Sequence, residues 1–189
     1  CGLIRCALGR SSNSMLLAVL LSRPSKLEPS FRFVATEVKN LGHDAVLADA
    51  DEPTGIAYAG VDAVILAAPV HELRHPRRFE AVIEADKRHL KMRKTLMLSV
   101  SLNAAFPEGL EEAQDYLTEL KMRTEFEPDQ ELLVAGAVRS DRYDYFSMQI
   151  VRHVVLRDRP FDPTEDGHEY TDWKAVSSAI SRFLGQKQR

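Results

Sequence analysis

His71-Glu72-Leu73-Arg74-His75 has the spacing H-E-x-x-H, in which a helix sets two imidazoles one turn apart to bind zinc and offers the glutamate as a base. That chemistry needs the helix. Here Pro69 and Pro76 bracket the segment, and a proline directly after His75 disfavours helical geometry at that residue, so a loop at a strand end is expected instead. Asp162-Pro163-Thr164-Glu165-Asp166-Gly167 resembles the opening of a calcium loop, but its twelfth position is Trp173, where a bidentate glutamate is required. Asp49, Asp51 and Glu52, followed by Pro53 and Gly55, read as a solvated loop after a strand. No metal site is expected from these three motifs.

The elements that would position a site are clearer than the motifs. Met15 to Leu21 is an apolar run that follows Arg5 and Arg10, a charge-then-apolar layout shared with signal peptides. It lacks a clear cleavage site and is far short of the roughly 20 residues that span a bilayer, so it reads as a strand buried on both faces. Val34, Val38 and Leu41 mark a helix stopped by Gly42, and Ala45 to Ala48 a second strand. Asp62 to Ala68 is a third strand, ended by Pro69. A helix opens at Pro76 with Phe79, Val82, Ile83 and Leu90 on one side, and Thr95 to Val100 is a fourth strand. Pro107 begins a helix that turns Leu110, Ala113, Leu117 and Leu120 inward, and Leu132 to Val138 is a fifth strand. The last helix is expected to take Thr171 as its cap and to bury Trp173, Val176, Ile180 and Phe183.

Strands alternating with amphipathic helices predict an α/β fold, a three-layer doubly wound parallel sheet with right-handed crossovers. In the strand order 2-1-3-4-5, a ligand crevice opens at the carboxyl ends of strands one and three, where the winding reverses. The loops facing it would be Ser22 to Ser30, Pro69 to His75 and Ser101 to Phe106.

Composition agrees with one such domain over residues 15–189, with residues 1–14 set apart as an amino-terminal extension. The 189 residues carry 25 Lys plus Arg against 28 Asp plus Glu, and the net charge of -3 gives no electrostatic reason to expect nucleic-acid binding. At 44% hydrophobic and 28% charged, with no repeat, the chain is neither disordered nor fibrous. Cys1 and Cys6 are the only cysteines, too few for a disulfide framework, so a reducing, cytoplasmic location is expected.

From Arg32 onward the chain resembles the flavodoxin-like family of menaquinone-dependent protoporphyrinogen IX dehydrogenases. The resemblance is carried by Phe33-Val34-Ala35-Thr36-Glu37-Val38-Lys39-Asn40-Leu41-Gly42 and by Leu98-Ser99-Val100-Ser101-Leu102. Val134-Ala135-Gly136-Ala137-Val138-Arg139 with Tyr143, and Tyr170-Thr171-Asp172-Trp173, complete it. It implies a flavodoxin-like fold, an FMN cofactor, a porphyrinogen substrate of haem biosynthesis and a quinone acceptor. The resemblance also implies an insert between the fifth strand and the last helix, a place that residues 139–169 occupy, which favours an enzyme over a plain electron carrier.

For the implied FMN, Ala68, Pro69, Val70 and His71 would form one wall of the ring site. Ser99, Ser101 and Asn103 would reach the ring edge. Ser22 and Ser25 would serve the phosphate. The phosphate segment departs from the family pattern of hydroxyl residues around a glycine, because Ser22-Arg23-Pro24-Ser25-Lys26-Leu27-Glu28-Pro29-Ser30 has no glycine, two prolines without N–H groups and an acidic residue. The likeness begins abruptly near Arg32, and an altered amino-terminal segment is expected before it. No side chain is assigned as a catalytic base, since the flavin carries the redox chemistry.

In the insert, Tyr143, Tyr145, Phe146, Ile150, Val151, Val154, Val155 and Leu156 are fringed by Arg139, Arg142, Arg152, Arg157 and Arg159. Such a segment suits a peripheral membrane contact through residues 139–159, an acidic flat substrate, or packing on its own domain. Three functional readings stand at this point: a protoporphyrinogen-type dehydrogenase, a generic flavodoxin-like electron-transfer protein, and a flavin-free scaffold.

Overall fold

The computed structural model describes residues 14–21, 24–52, 56–138 and 168–185. Ser22, the calcium-like turn at 162–167 and the arginine-fringed segment from Arg139 lie outside the described residues.

Five strands form the parallel sheet: β1 (Leu16–Leu21), β2 (Asp44–Asp49), β3 (Ala63–Pro69), β4 (Lys94–Ser101) and β5 (Gln130–Ala135). Their order is β2-β1-β3-β4-β5, as expected. The helices are α1 (Pro24–Asn40), α2 (Arg77–Leu90), α3 (Leu110–Thr124) and α4 (Trp173–Gly185). Successive strand residues face opposite ways, and the two faces build two cores. Leu17, Val19, Ile65, Leu96 and Leu98 pack with Val34 and Val38 of α1 and Ile180 and Phe183 of α4. Leu20, Val64, Leu66 and Met97 pack with Phe79 and Ile83 of α2 and Leu117 and Leu120 of α3. Every residue of β3 is buried, which explains why its sequence is continuously apolar instead of alternating.

Local chemistry sets the element ends. Gly42 takes φ 83°, and its N–H bonds the Lys39 carbonyl while the His43 N–H bonds that of Val38, the paired 5→2 and 6→1 bonds that close a helix through a left-handed residue. Thr95 and Asp129 tie the start of β4 to the entry of β5. The Asp129 carboxylate accepts from the Thr95 N–H (2.7 Å) and hydroxyl (3.0 Å), and the hydroxyl accepts from the Asp129 N–H (3.0 Å).

Four local expectations are corrected. The loop expected over Ser22 to Ser30 ends before Pro24, where α1 begins. Proline suits the first helical position, whose N–H has no intrahelical partner. The strand expected to run to Val138 breaks at Gly136, after which β6 (Ala137–Val138) turns to pair antiparallel with β7 (His168–Glu169). The helix expected from Pro107 opens as a short 3-10 turn, becomes α-helical at Leu110 and leaves Leu110 45% exposed. Asp172, not Thr171, caps α4, accepting the N–H groups of Lys174 and Ala175 at 3.0 Å, and Trp173 is half-buried against Phe33 with ring centroids 4.6 Å apart.

Replacing Asp129 with alanine strands the buried N–H of Thr95, and should cost about 1–3 kcal/mol in a urea melt. Replacing Asp129 with asparagine, which keeps one acceptor, should cost less.

Candidate functional site

The site is built where β1 and β3 lie side by side, with Leu17 to Leu21 in register with Ala63 to Ala67. The chain leaves β1 for α1 on one face and β3 for α2 on the other, so the loops diverge and leave a crevice between them.

The loop after β3 forms the first described wall. Val70 donates its N–H to the Val100 carbonyl at 2.8 Å, continuing the pairing of β3 with β4 beyond Pro69. His71 and Arg74 then exchange backbone hydrogen bonds of 2.9 and 3.0 Å across a two-residue turn. Its central residues Glu72 (φ 50°) and Leu73 (φ 62°) are both left-handed, a conformation normally left to glycine or asparagine. The turn is held by the Arg74 guanidinium, which makes a two-point contact with the Glu80 carboxylate of α2, one arm at 3.1 Å. Arg123 of α3 approaches the same carboxylate at 3.5 Å. Glu80 is buried, and two cations on one carboxylate offset its desolvation. At the tip Leu73 is 65% exposed, an apolar side chain presented beside the crevice.

The loop after β4 forms the second wall. The Ser101 hydroxyl accepts the Ala104 N–H at 3.3 Å, and Asn103 donates its side-chain amide to the Tyr116 hydroxyl of α3 at 3.1 Å, which in turn donates to Glu112. Burial and the acceptor Glu112 both push the Tyr116 phenol well above its ordinary pKa, so it stays a neutral donor. Gly109 supports the loop from beneath, since a Cβ there would stand 2.4 Å from the Asn103 carbonyl oxygen. Phe106 meets Tyr170 edge to face at 5.4 Å, and Thr171 donates its hydroxyl to the Ala135 carbonyl at 2.6 Å. The chain leading into α4 is thereby fastened to this wall.

One histidine joins the walls from below. His75 is 1% exposed, its Nε2 lies 3.0 Å from the Ser99 hydroxyl, and its buried Nδ1 has no hydrogen-bond partner among the described residues. Burial lowers its pKa to about 4 and Arg123 adds to that, against the attraction of Glu80. The ring is neutral near pH 7.

Pro69 pairs with Val100 and the Val70 N–H bonds the Val100 carbonyl, which sets the loop carrying Val70 and His71 beside the one carrying Ser101 and Asn103. Ala68 and Ser99 are paired in register but both point toward α2 and α3, where the Ser99 hydroxyl is taken up by His75. Ser25 belongs to the backbone of the first turn of α1. Of the H-E-x-x-H residues, His71 is exposed on the turn and His75 is buried beneath it, so they share no helical face. Sequence reading placed Leu73, Arg74 and Phe106 in the expected loops without singling them out, and missed Glu80, Tyr116 and Tyr170 as parts of the walls.

The fold and the crevice are those of a doubly wound protein with its ligand position at the switch point. The chain belongs to the flavodoxin-domain family, whose pattern matches residues 30–162. It is 22% identical over 163 residues to protoporphyrinogen IX dehydrogenase [quinone] of Escherichia coli (strain K12), a match covering 86% of this chain and 90% of that protein. In structure it is similar to oxidised flavodoxin 1 of Bacillus cereus, with TM-score 0.52, 16% identity and coverage of 93% of this chain and 100% of the other. The flavodiiron core of Flv1 from Synechocystis gives TM-score 0.52 at 13% identity, over 92% of this chain and 36% of that longer one.

The His75 pKa sets a pH dependence. An unfolded histidine takes up its proton near pH 6.5 and the folded one near 4, so between these values the unfolded state binds more protons. Stability contributed by the neutral ring is full above about pH 6.5 and declines as pH falls toward 4, by up to about 3 kcal/mol. Urea melts at pH 7 and pH 4.5 should show this loss, and His75→Gln should remove most of it. An unchanged slope in that variant would place the pH dependence elsewhere.

Proposed function

We propose that this chain is a flavin-dependent oxidoreductase of the protoporphyrinogen-dehydrogenase type, working with FMN and passing electrons from a porphyrinogen to a quinone. The observation that carries the reading is the β6–β7 ribbon. By pairing Ala137 with Glu169 and Val138 with His168, it brings together the two ends of the segment 139–167. Tyr170 and Thr171, directly after the ribbon, are fastened to Phe106 and Ala135 beside the crevice. An electron carrier needs only the crevice; a segment rooted at its rim supports an enzyme that also receives an organic substrate. The likeness to the Escherichia coli dehydrogenase, 90% of which is covered, supports the same choice.

The residues present fit the ring end of a flavin. The loops after β3 and β4 offer both apolar groups, Leu73 and Phe106, and polar ones, Ser101 and Asn103, a mixture that suits a planar heterocycle. When bound, flavin supplies the capacity to accept an electron pair from one partner and return it to another. The chain's own contribution is to hold the walls apart at a fixed spacing and keep water from the ring faces. Pro69, Val70, His71, Ser101 and Asn103 supply the contacts nearest the ring in this reading. The arginine-fringed segment 139–159 is assigned to the membrane surface where a lipid-soluble quinone resides, with the protein otherwise cytoplasmic.

Full-length protein supplied with FMN should convert a porphyrinogen to fluorescent porphyrin under anaerobic conditions only when a quinone is added. Quinone reduction by chemically reduced protein without porphyrinogen oxidation would instead make it an electron carrier. Changing Arg152 and Arg157 to glutamate should weaken sedimentation with anionic liposomes at least severalfold, and unchanged partitioning would remove the membrane assignment.

A further inference from the structure

We propose that strand β2 is the seat of a homodimer, in which the β2 edges of two copies pair antiparallel about a two-fold axis at Val46 and join two five-stranded sheets into one. This does not depend on the flavin reading. β2 stands at the end of the sheet order and is paired only with β1 among the described residues. Its composition is nevertheless that of an interior strand. Ala45-Val46-Leu47-Ala48 is apolar without interruption, as is the buried β3, yet Val46 is 51% and Leu47 50% exposed. Val46 shares a face of the sheet with Ala18 and Leu47 the other face with Val19, so apolar surface is exposed on both sides of this edge. Open edges are normally blunted by a charge, a proline or a bulge. The opposite edge follows that rule, since β5 carries Glu131 bridged to Lys121 at 2.9 Å. Between Asp44 and Asp49, β2 carries neither charge nor proline.

The backbone restricts how a second copy can add. The Asp44 N–H bonds the Met15 carbonyl, so by alternation the main-chain groups of Asp44, Val46 and Ala48 point to β1 and those of Ala45 and Leu47 point outward. With Val46 opposite the partner's Val46, Ala45 stands opposite the partner's Leu47, and each such pair can exchange two hydrogen bonds. The same register sets His43 opposite the partner's Asp49. His43 accepts the Met15 N–H on Nδ1 at 3.1 Å, which leaves Nε2 as donor, and Asp49 accepts the Asp51 N–H on Oδ1 at 2.8 Å, which leaves Oδ2 as acceptor. A ring N–H and a carboxylate therefore complement each other at both ends of the strand pair.

That complementarity selects the register and favours a second copy as the occupant. Sliding the partner by two residues sets Asp44 opposite Val46 in one direction and Asp49 opposite Ala45 in the other, and both slides lose the His43–Asp49 pairs. In the selected register Asp44 meets Ala48, and no two carboxylates stand opposite each other. The axis is perpendicular to the sheet, so the two crevices open at opposite ends of the joined sheet. The β2 edge carries none of the loops that line them.

Six-residue strands make a small interface, and a dissociation constant on the order of 10 µM is expected. Sedimentation of the full chain over roughly 1 to 100 µM should show a monomer–dimer equilibrium. Val46→Lys sets two cations together on the axis and should weaken the dimer at least tenfold, with the urea midpoint unchanged. Register is read by oxidation in a chain carrying Cys1→Ser and Cys6→Ser. There Val46→Cys should give a disulfide-linked dimer, because residues opposite each other in such a pair stand about 4.5 Å apart at Cα. Leu47→Cys, offset from its own copy, should cross-link at least tenfold more slowly. A monomer at the highest concentration, a dimer indifferent to Val46→Lys, or equal cross-linking at the two positions would overturn the proposal. A monomer whose β2 amides are protected from hydrogen exchange would assign the edge to another segment of the chain and overturn it equally.

Discussion

A parallel sheet has no way to continue except through crossovers, and crossovers must cover both of its faces because every strand inside it is apolar on both. In this chain the demand falls on β1 and β3, the two neighbours at the centre of the order β2-β1-β3-β4-β5. Helix α1 goes to the face it shares with α4, and α2 to the face it shares with α3. The chain therefore parts at the carboxyl ends of β1 and β3, and the crevice is a consequence of burying the sheet. The flavin position proposed above belongs to that gap.

A gap becomes a site only when its walls are stiff. The wall after β3 contains two left-handed residues of types that resist that conformation, and it persists because Arg74 is tied to a buried carboxylate shared with Arg123. The wall after β4 is held by Asn103 on Tyr116 and by the absence of a Cβ at Gly109. His75 and Ser99 connect the foundations of both. Glu80 sits on α2 and Arg123 and Tyr116 on α3, so the packing of two helices on one face helps to fix both walls.

The strands were legible in the sequence because each is a short apolar run bounded by proline, glycine or charge, and the helices because their apolar positions recur with helical spacing. Composition misled at Pro24 to Ser30, where two prolines in a polar stretch read as a loop although a first-position proline suits a helix start. The turn at Glu72 and Leu73 was illegible for a different reason: nothing in those residue types asks for a left-handed backbone, and the force that holds it comes from Glu80, later in the sequence. The inward facing of Ser99 could have been read from its two-residue spacing to Met97, which shares its side of the sheet. The loops after β3 and β4 could be placed from the strand ends, while the contacts that stiffen them depend on tertiary packing.

The central claim is that a planar cofactor is gripped between the loops after β3 and β4. Backbone amide resonances of the full chain, followed while flavin is added, test it most directly. The account predicts that the largest shifts fall on residues 70 to 75 and 101 to 106, with those of β2 and the carboxyl end of α3 unmoved. Shifts concentrated elsewhere on the surface, with these two loops unchanged, would contradict it.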